Sequence, residues 1–169
     1  MTVEIKAVVL TVSDRCARGE QEDVSGAVLA ELLVETGVQV VAREILSDDL
    51  EPLAAKLRHY AARTDVNLIV TTGGTGLAPR DNTPEATRAV IEREAPGLSE
   101  AMRIQTLADT PLAMISRGVC GTRSNTLIIN LPGSPKGVRQ SFAVIRPVLN
   151  HAVAILAGAT HGEAQGSEH

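Results

Sequence analysis

Between positions 67 and 85 the chain runs NLIVTTGGTGLAPRDNTPE, an apolar stretch that breaks into Gly73, Gly74, Thr75 and Gly76 and reaches Asp81 just ahead of Thr83, Pro84 and Glu85. Leu68, Ile69 and Val70 predict a strand buried on both faces, and glycines directly behind such a strand free backbone N–H groups to point at an anion. Thr83 is a good N-cap with Pro84 at the first helical position, so a helix N-terminus faces the same loop and favours negative charge there. A carboxylate at Asp81 beside an anion cradle repels bare phosphate unless a divalent cation lies between them. The stretch therefore points to a metal-bound nucleotide. A lone Gly-Gly-Thr-Gly is also compatible with a tight turn, and this one is neither a Walker loop nor a GxGxxG fingerprint.

The elements that must position this loop alternate in kind. Ala7 to Val12 predict a first strand, which Ser13, Asp14 and Arg15 leave at its carboxyl end; 16–22 is polar and irregular. Val28, Leu29, Leu32 and Leu33 recur at helical spacing behind Asp23 or Ser25 as cap, and Gly37 stops that helix. Positions 38–46 predict a second strand, and Leu50, Leu53, Ala54, Leu57 and Ala61 the stripe of a second helix entered at Ser47 and Asp48. After the Leu68 strand, helices are expected over 83–94 and 98–108, strands over 112–119 and 126–131, and a long helix from Ser134 and Pro135 that Pro147 should kink.

Such alternation predicts an α/β fold: three layers, helix on sheet on helix, around a mostly parallel sheet. Ligands in such sheets sit beyond the carboxyl ends of the strands. Ser13 and Asp14, then Asp48, then Gly73 to Asp81, then Pro132, Gly133 and Ser134 all fall there, and this convergence outweighs any single motif. Local alternatives stand beside it. Asp48 fits a capping box with Glu51, Asp81 fits an Asx-turn, and Asp49 replaces Asp48 if the turn shifts by one residue. Arg80 reads as solvated and Arg103 as a surface salt-bridging residue.

Composition narrows the classes. The 169 residues suit one domain over 1–158 with a disordered tail at 159–169. With 44% apolar residues but one Phe, one Tyr and no Trp, the core must be aliphatic, as in doubly covered parallel sheets. Sixteen basic against twenty acidic residues give a net charge of −4, which offers nothing to a polyanion, so nucleic acid is excluded as a partner. No signal peptide or membrane span is readable, which predicts a soluble, cytoplasmic protein. Cys16 and Cys120 lack metal-ligand spacing and read as free thiols.

TVSDR at 11–15, DVSG at 23–26, TTGGTGLAPRDNTPEAT at 71–87, PGLSEAMR at 96–103, ISR at 115–117 and TLIINLPGSPKGV at 126–138 resemble the molybdopterin adenylyltransferases of the MogA/MoaB type, also seen as the G domain of gephyrin. The resemblance runs from about residue 7 to 158. It implies an α/β fold that commonly forms homotrimers, with hexamers also known among similar proteins. It implies a reaction in which Mg-ATP adenylylates the terminal phosphate of molybdopterin and releases pyrophosphate, before molybdate is inserted with the help of a partner protein. On that resemblance Asp48 and Asp81 are the catalytic carboxylates and share Mg2+. Gly73, Gly74, Thr75 and Gly76 cradle phosphate, and Thr75 also touches the terminal phosphate of the pterin. Ser13, Asp14, Ser25, Gly26, Pro132, Gly133 and Ser134 match the nucleotide side, and Thr106 and Ser116 the pterin side. Arg123, Ser124 and Asn125 depart from the Arg-Gly that many relatives carry before the TLII strand. The alternative function is a non-catalytic MoaB-type protein that binds pterin or nucleotide.

Overall fold

Four aliphatic and β-branched runs that alternate with helical stripes form the parallel part of one six-stranded sheet, and two short polar segments add its antiparallel edge. In the computed structural model, which describes residues 2–159, the elements in chain order are β1 (Lys6–Val12), α1 (Asp14–Ala17), α2 (Val24–Glu35), β2 (Gln39–Leu46), α3 (Leu50–Ala61), β3 (Leu68–Thr72), α4 (Thr83–Arg88), β4 (Arg93–Glu94), α5 (Pro96–Thr106), a 3-10 turn (Pro111–Ile115), β5 (Cys120–Arg123), β6 (Thr126–Leu131) and α6 (Pro135–Leu156). The sheet order is β2-β1-β3-β6-β5-β4. The first four run parallel, while β5 is antiparallel to both neighbours. Every residue of β3 and β6 is buried, as expected for central strands covered on both faces.

Alternation along the strands builds two cores. Ala7, Val9, Leu68, Val70, Leu127 and Ile129 face Leu29 and Leu33 of α2 and Phe142, Ile145 and Leu149 of α6. Val8, Leu10, Ile69 and Ile128 face Leu53, Leu57 and Tyr60 of α3 and Val90 beyond α4. Because crossovers keep one hand, α2, leading from β1 outward to β2, and α3, leading back to β3, lie on opposite faces. The chain direction therefore reverses between β1 and β3, and a crevice opens at their carboxyl ends.

Several local expectations need correction. Residues 112–119 form no strand: Pro111 opens a 3-10 turn and the strand is Cys120–Arg123. The helix expected over 83–94 ends at Arg88, and Arg93–Glu94 pairs with β5 at the sheet edge, where pairing outcompetes a short polar helical turn. The next helix begins at Pro96 rather than Leu98 and ends at Thr106. A short helix over Asp14–Ala17 takes in the turn out of β1 and the first two residues of the stretch expected to be irregular, 16–22. α6 runs from Pro135 to Leu156 with Pro147 inside it. Asp23, not Ser25, caps α2, and Ser134 caps α6 by accepting from the Gly137 amide. Of the expected tail, 160–169 lies outside the described residues.

Candidate active site at the carboxyl edge of the sheet

Gly73 carries the turn out of β3. Its φ is +99°, and a Cβ there would run into the Val12 carbonyl oxygen, so only glycine lets the loop after β3 lie against the end of β1. Its amide donates to Leu131 O at 3.2 Å, and Thr83 Oγ1 donates to Gly73 O at 2.9 Å. Thr83 thus spends its hydroxyl on the glycine loop, and Asn82 occupies the N-cap position of α4 without a side-chain cap bond. The amides of Gly74, Thr75 and Gly76 donate to no protein acceptor among the described residues, the arrangement an anion requires of a nest. Gly133 packs on Gly73, its missing Cβ being 3.2 Å from the Gly73 Cα.

Asp48 does not cap α3. That position belongs to Asp49, which makes no side-chain cap bond. Asp48 Oδ2 instead accepts from the Asp14 amide at 2.9 Å, and its Oδ1 lies 3.1 Å from the place a Gly74 Cβ would occupy. Burial, followed by the charges of Asp14 and Asp81, pushes the Asp48 carboxyl above its ordinary range, although the Asp14 amide works the other way. Asp81 Oδ2 accepts from the Ala78 amide at 3.0 Å and sits 2.8 Å from a Gly76 Cβ position, so both carboxylates border the glycine loop. Asp49 points elsewhere, to Ser47 Oγ at 2.9 Å and Arg80 at 3.0 Å. Asp48 is therefore the member of that pair that faces the loop.

Arg80 is not merely solvated. Its guanidinium grips Asp14 through Nε at 2.6 Å and through one terminal nitrogen at 3.0 Å, and the same nitrogen reaches Asp49. This contact holds the Asp14 carboxyl down at about 2. Ser13 caps α1 by accepting from the Cys16 amide. Ser25 and Gly26 open α2 further back, where the Gly26 amide is committed to Asp23 Oδ1 at 2.9 Å and Arg43 braces Asp23 Oδ2.

A cavity of about 290 Å³ lies between α5, the 3-10 turn and the start of α6; neither the glycine loop nor Asp48 or Asp81 lines it, and Pro132, next to Gly133, is its link to the loop. Thr106, Ser116, Pro132 and Ser134 line it, together with Lys136 and Gln140. Thr75 is buried and does not line it. Arg103, expected to pair at the surface, lines the cavity too and donates to Gly118 O at 3.0 Å. Arg117 closes the ISR motif at 115–117, but the sequence assigns it no role. Its Nε donates to Gly76 O at 2.7 Å, one terminal nitrogen to Asp81 O at 2.7 Å and the other to Glu85 Oε1. Its place in that motif, next to Ser116, is the one signal that points to the site. Cys16 and Cys120 are free thiols, and burial pushes the latter up to about 12, which suits packing rather than reaction.

Among the described residues no helix is long and apolar enough to cross a membrane. The family described as "Probable molybdopterin binding domain" matches residues 8–151. The molybdenum cofactor synthesis protein cinnamon of Drosophila melanogaster is 44% identical over 167 residues, which is 94% of this chain but 28% of that protein, so the chain spans little more than a quarter of it. A molybdopterin adenylyltransferase of Helicobacter pylori is 39% identical over 152 residues, covering 89% of this chain and 86% of its own. The solved structure of the molybdopterin biosynthesis enzyme MoaB from Thermus thermophilus superimposes with a TM-score of 0.86 at 48% identity, over 92% of this chain and 98% of that one. With most of the sheet and all of its carboxyl-edge loops inside the matched region, the chain belongs to this molybdopterin-binding domain family, in its MogA/MoaB branch.

Proposed function

We propose that the chain is a molybdopterin adenylyltransferase, moving AMP from Mg-ATP to the terminal phosphate of molybdopterin with release of pyrophosphate. The observation that carries this reading is that Asp48 and Asp81, from two different crossovers, both border a glycine loop with open amides. At about 290 Å³ the cavity is near the lower end of small-molecule sites. The Helicobacter pylori relative carries that activity in its name.

In the transfer, a terminal phosphate oxygen of the pterin bonds to the α-phosphorus of ATP. The bond from that phosphorus to the oxygen bridging the β-phosphate breaks, and its electron pair leaves with pyrophosphate. Two anions must meet, so the protein's task is to align them and offset charge rather than to supply a nucleophile. The amides of Gly74, Thr75 and Gly76 hold phosphate oxygens, with Thr75 next to the terminal phosphate of the pterin. Thr106 and Ser116 hold the pterin within the cavity. Ser13, Asp14, Ser25, Gly26, Gly73, Pro132, Gly133 and Ser134 shape the nucleotide side.

The donor set fits magnesium. Asp48 and Asp81 offer hard oxygen ligands, and no group of three metal-ligating side chains occurs among the described residues, which leaves room for the phosphate oxygens and waters that Mg2+ prefers. Bound there, Mg2+ would neutralise triphosphate charge and stabilise the leaving pyrophosphate. The same reading makes the protein a cytoplasmic homotrimer that passes its product to a molybdate-inserting partner.

Incubation with Mg-ATP and molybdopterin tests it. Adenylyl-molybdopterin in equimolar amount with pyrophosphate is the expected result. Tight pterin binding without product would replace the enzyme with a carrier, and pterin-independent nucleotide cleavage would make it a hydrolase.

A further inference from the structure

We propose that Arg117 is the positioning residue that holds Asp81 in place from the cavity side. Arg117 stands between Ser116 and Gly118, both of which line the cavity. Its backbone amide donates to Thr75 O at 2.8 Å, its Nε to Gly76 O at 2.7 Å, one terminal nitrogen to Asp81 O at 2.7 Å and the other to Glu85 Oε1. These four contacts bracket Asp81 on both sides and close 76–81 across two carbonyls of the same loop. The guanidinium binds the backbone of Asp81, not its carboxylate, whose Oδ2 accepts from the Ala78 amide instead. The loop is thereby clamped while the negative charge of Asp81 stays available to a cation. The planar fork serves the two carbonyls and the carboxylate from three separate nitrogens held in fixed directions, whereas the three donors of an ammonium all radiate from one atom on a flexible stem. Glu85 in turn orients the fork. Its Oε2 is buried without a hydrogen-bond partner, so Glu85→Gln can keep Oε1 as an acceptor for Arg117 while removing the charge and placing an unpartnered amide NH2 at the Oε2 position.

The kinetic readout rests on the proposed transfer reaction; the exchange readout does not. In the full chain, Arg117→Lys and Glu85→Gln are compared with the parent. Hydrogen exchange at the Ala78 and Asp81 amides, which bond within the loop, is expected to quicken at least about tenfold in Arg117→Lys, with β3 and β6 unchanged. The kcat should fall at least about tenfold while the nucleotide Kd stays within about threefold, with Glu85→Gln weaker in the same direction. Added guanidinium, but not ammonium, should restore part of the turnover of Arg117→Ala. Parent-like exchange in both variants, or a raised KM at unchanged kcat, overturns the proposal. If the parent chain itself forms no adenylyl-molybdopterin, the function proposed above falls, and the exchange rates alone decide the role of Arg117.

Discussion

Asp14 and Asp48, 34 residues apart, exchange hydrogen bonds: Asp48 Oδ2 accepts from the Asp14 amide at 2.9 Å and Asp14 Oδ1 from the Asp48 amide at 3.0 Å. This clasp joins the crossover after β1 to the crossover after β2 and fixes the direction of the Asp48 carboxylate. Removing the Asp14 carboxylate leaves the Asp48 amide without its acceptor and leaves Arg80 with Asp49 alone. Asp14→Ala should therefore cost about 1–2 kcal/mol, seen in the urea midpoint. Arg80→Ala removes only its exposed ion pairs to Asp14 and Asp49 and should cost less than Asp14→Ala, shrinking further in salt. Because Asp14 is held at about 2, its contribution is present above its ordinary 3.8 and disappears as pH falls from there towards 2. Asp14→Asn should lack that acid-side slope.

Asp48 and Asp81 border the glycine loop as acceptors only, from the Asp14 and Ala78 amides respectively, and the proposed reaction draws on their charge. Asp81→Asn and Asp48→Asn should keep nucleotide affinity within about tenfold and lower kcat by at least about a hundredfold. Equilibrium binding beside single-turnover product formation checks this. Unchanged turnover in either variant removes that residue from the proposed reaction.

The close approach of Gly73 to Val12 separates two kinds of glycine. Gly37 also has positive φ, +83°, but a Cβ there meets nothing within 4 Å. Gly37→Ala should cost about 1 kcal/mol, the backbone penalty alone. Gly73→Ala adds overlap with the Val12 carbonyl, and Gly74→Ala adds overlap with Thr83 Oγ1 and a contact at 3.1 Å to Asp48 Oδ1. Both should cost more than about 2 kcal/mol in denaturant melts, and Gly74→Ala should also lower turnover by displacing Asp48.

Tyr60, the one tyrosine of the chain, donates its hydroxyl to Glu44 Oε2. Burial first, and then this bond, raises the phenol to about 12, so its contribution to stability is full below pH 10 and is lost between 10 and about 12. Phenolate absorbance reports this group alone, because the sequence has no second tyrosine and no tryptophan. The titration should lie near 12 in the folded chain and near 10 in denaturant. Tyr60→Phe should abolish the stability loss between pH 10 and 12.

The aliphatic runs of β1, β3 and β6, the glycine turn behind β3 and the caps at Asp23 and Ser134 are legible in the sequence because periodicity, turn chemistry and capping act within a few residues. That locality places Asp14, Asp48, Gly73 and Pro132 at one sheet edge before any coordinates exist. It fails at the edge and beyond α5, where Arg93–Glu94 and Cys120–Arg123 become strands through pairing with each other and with β6. It also fails for Asp48, whose local pattern matches a capping box while its carboxylate goes to an amide 34 positions away. Arginines carry no periodicity at all. Arg80 and Arg117 acquire their roles only when separate crossovers meet, since long side chains take the partners that tertiary packing brings within reach, and no spacing along the chain encodes which partners those are.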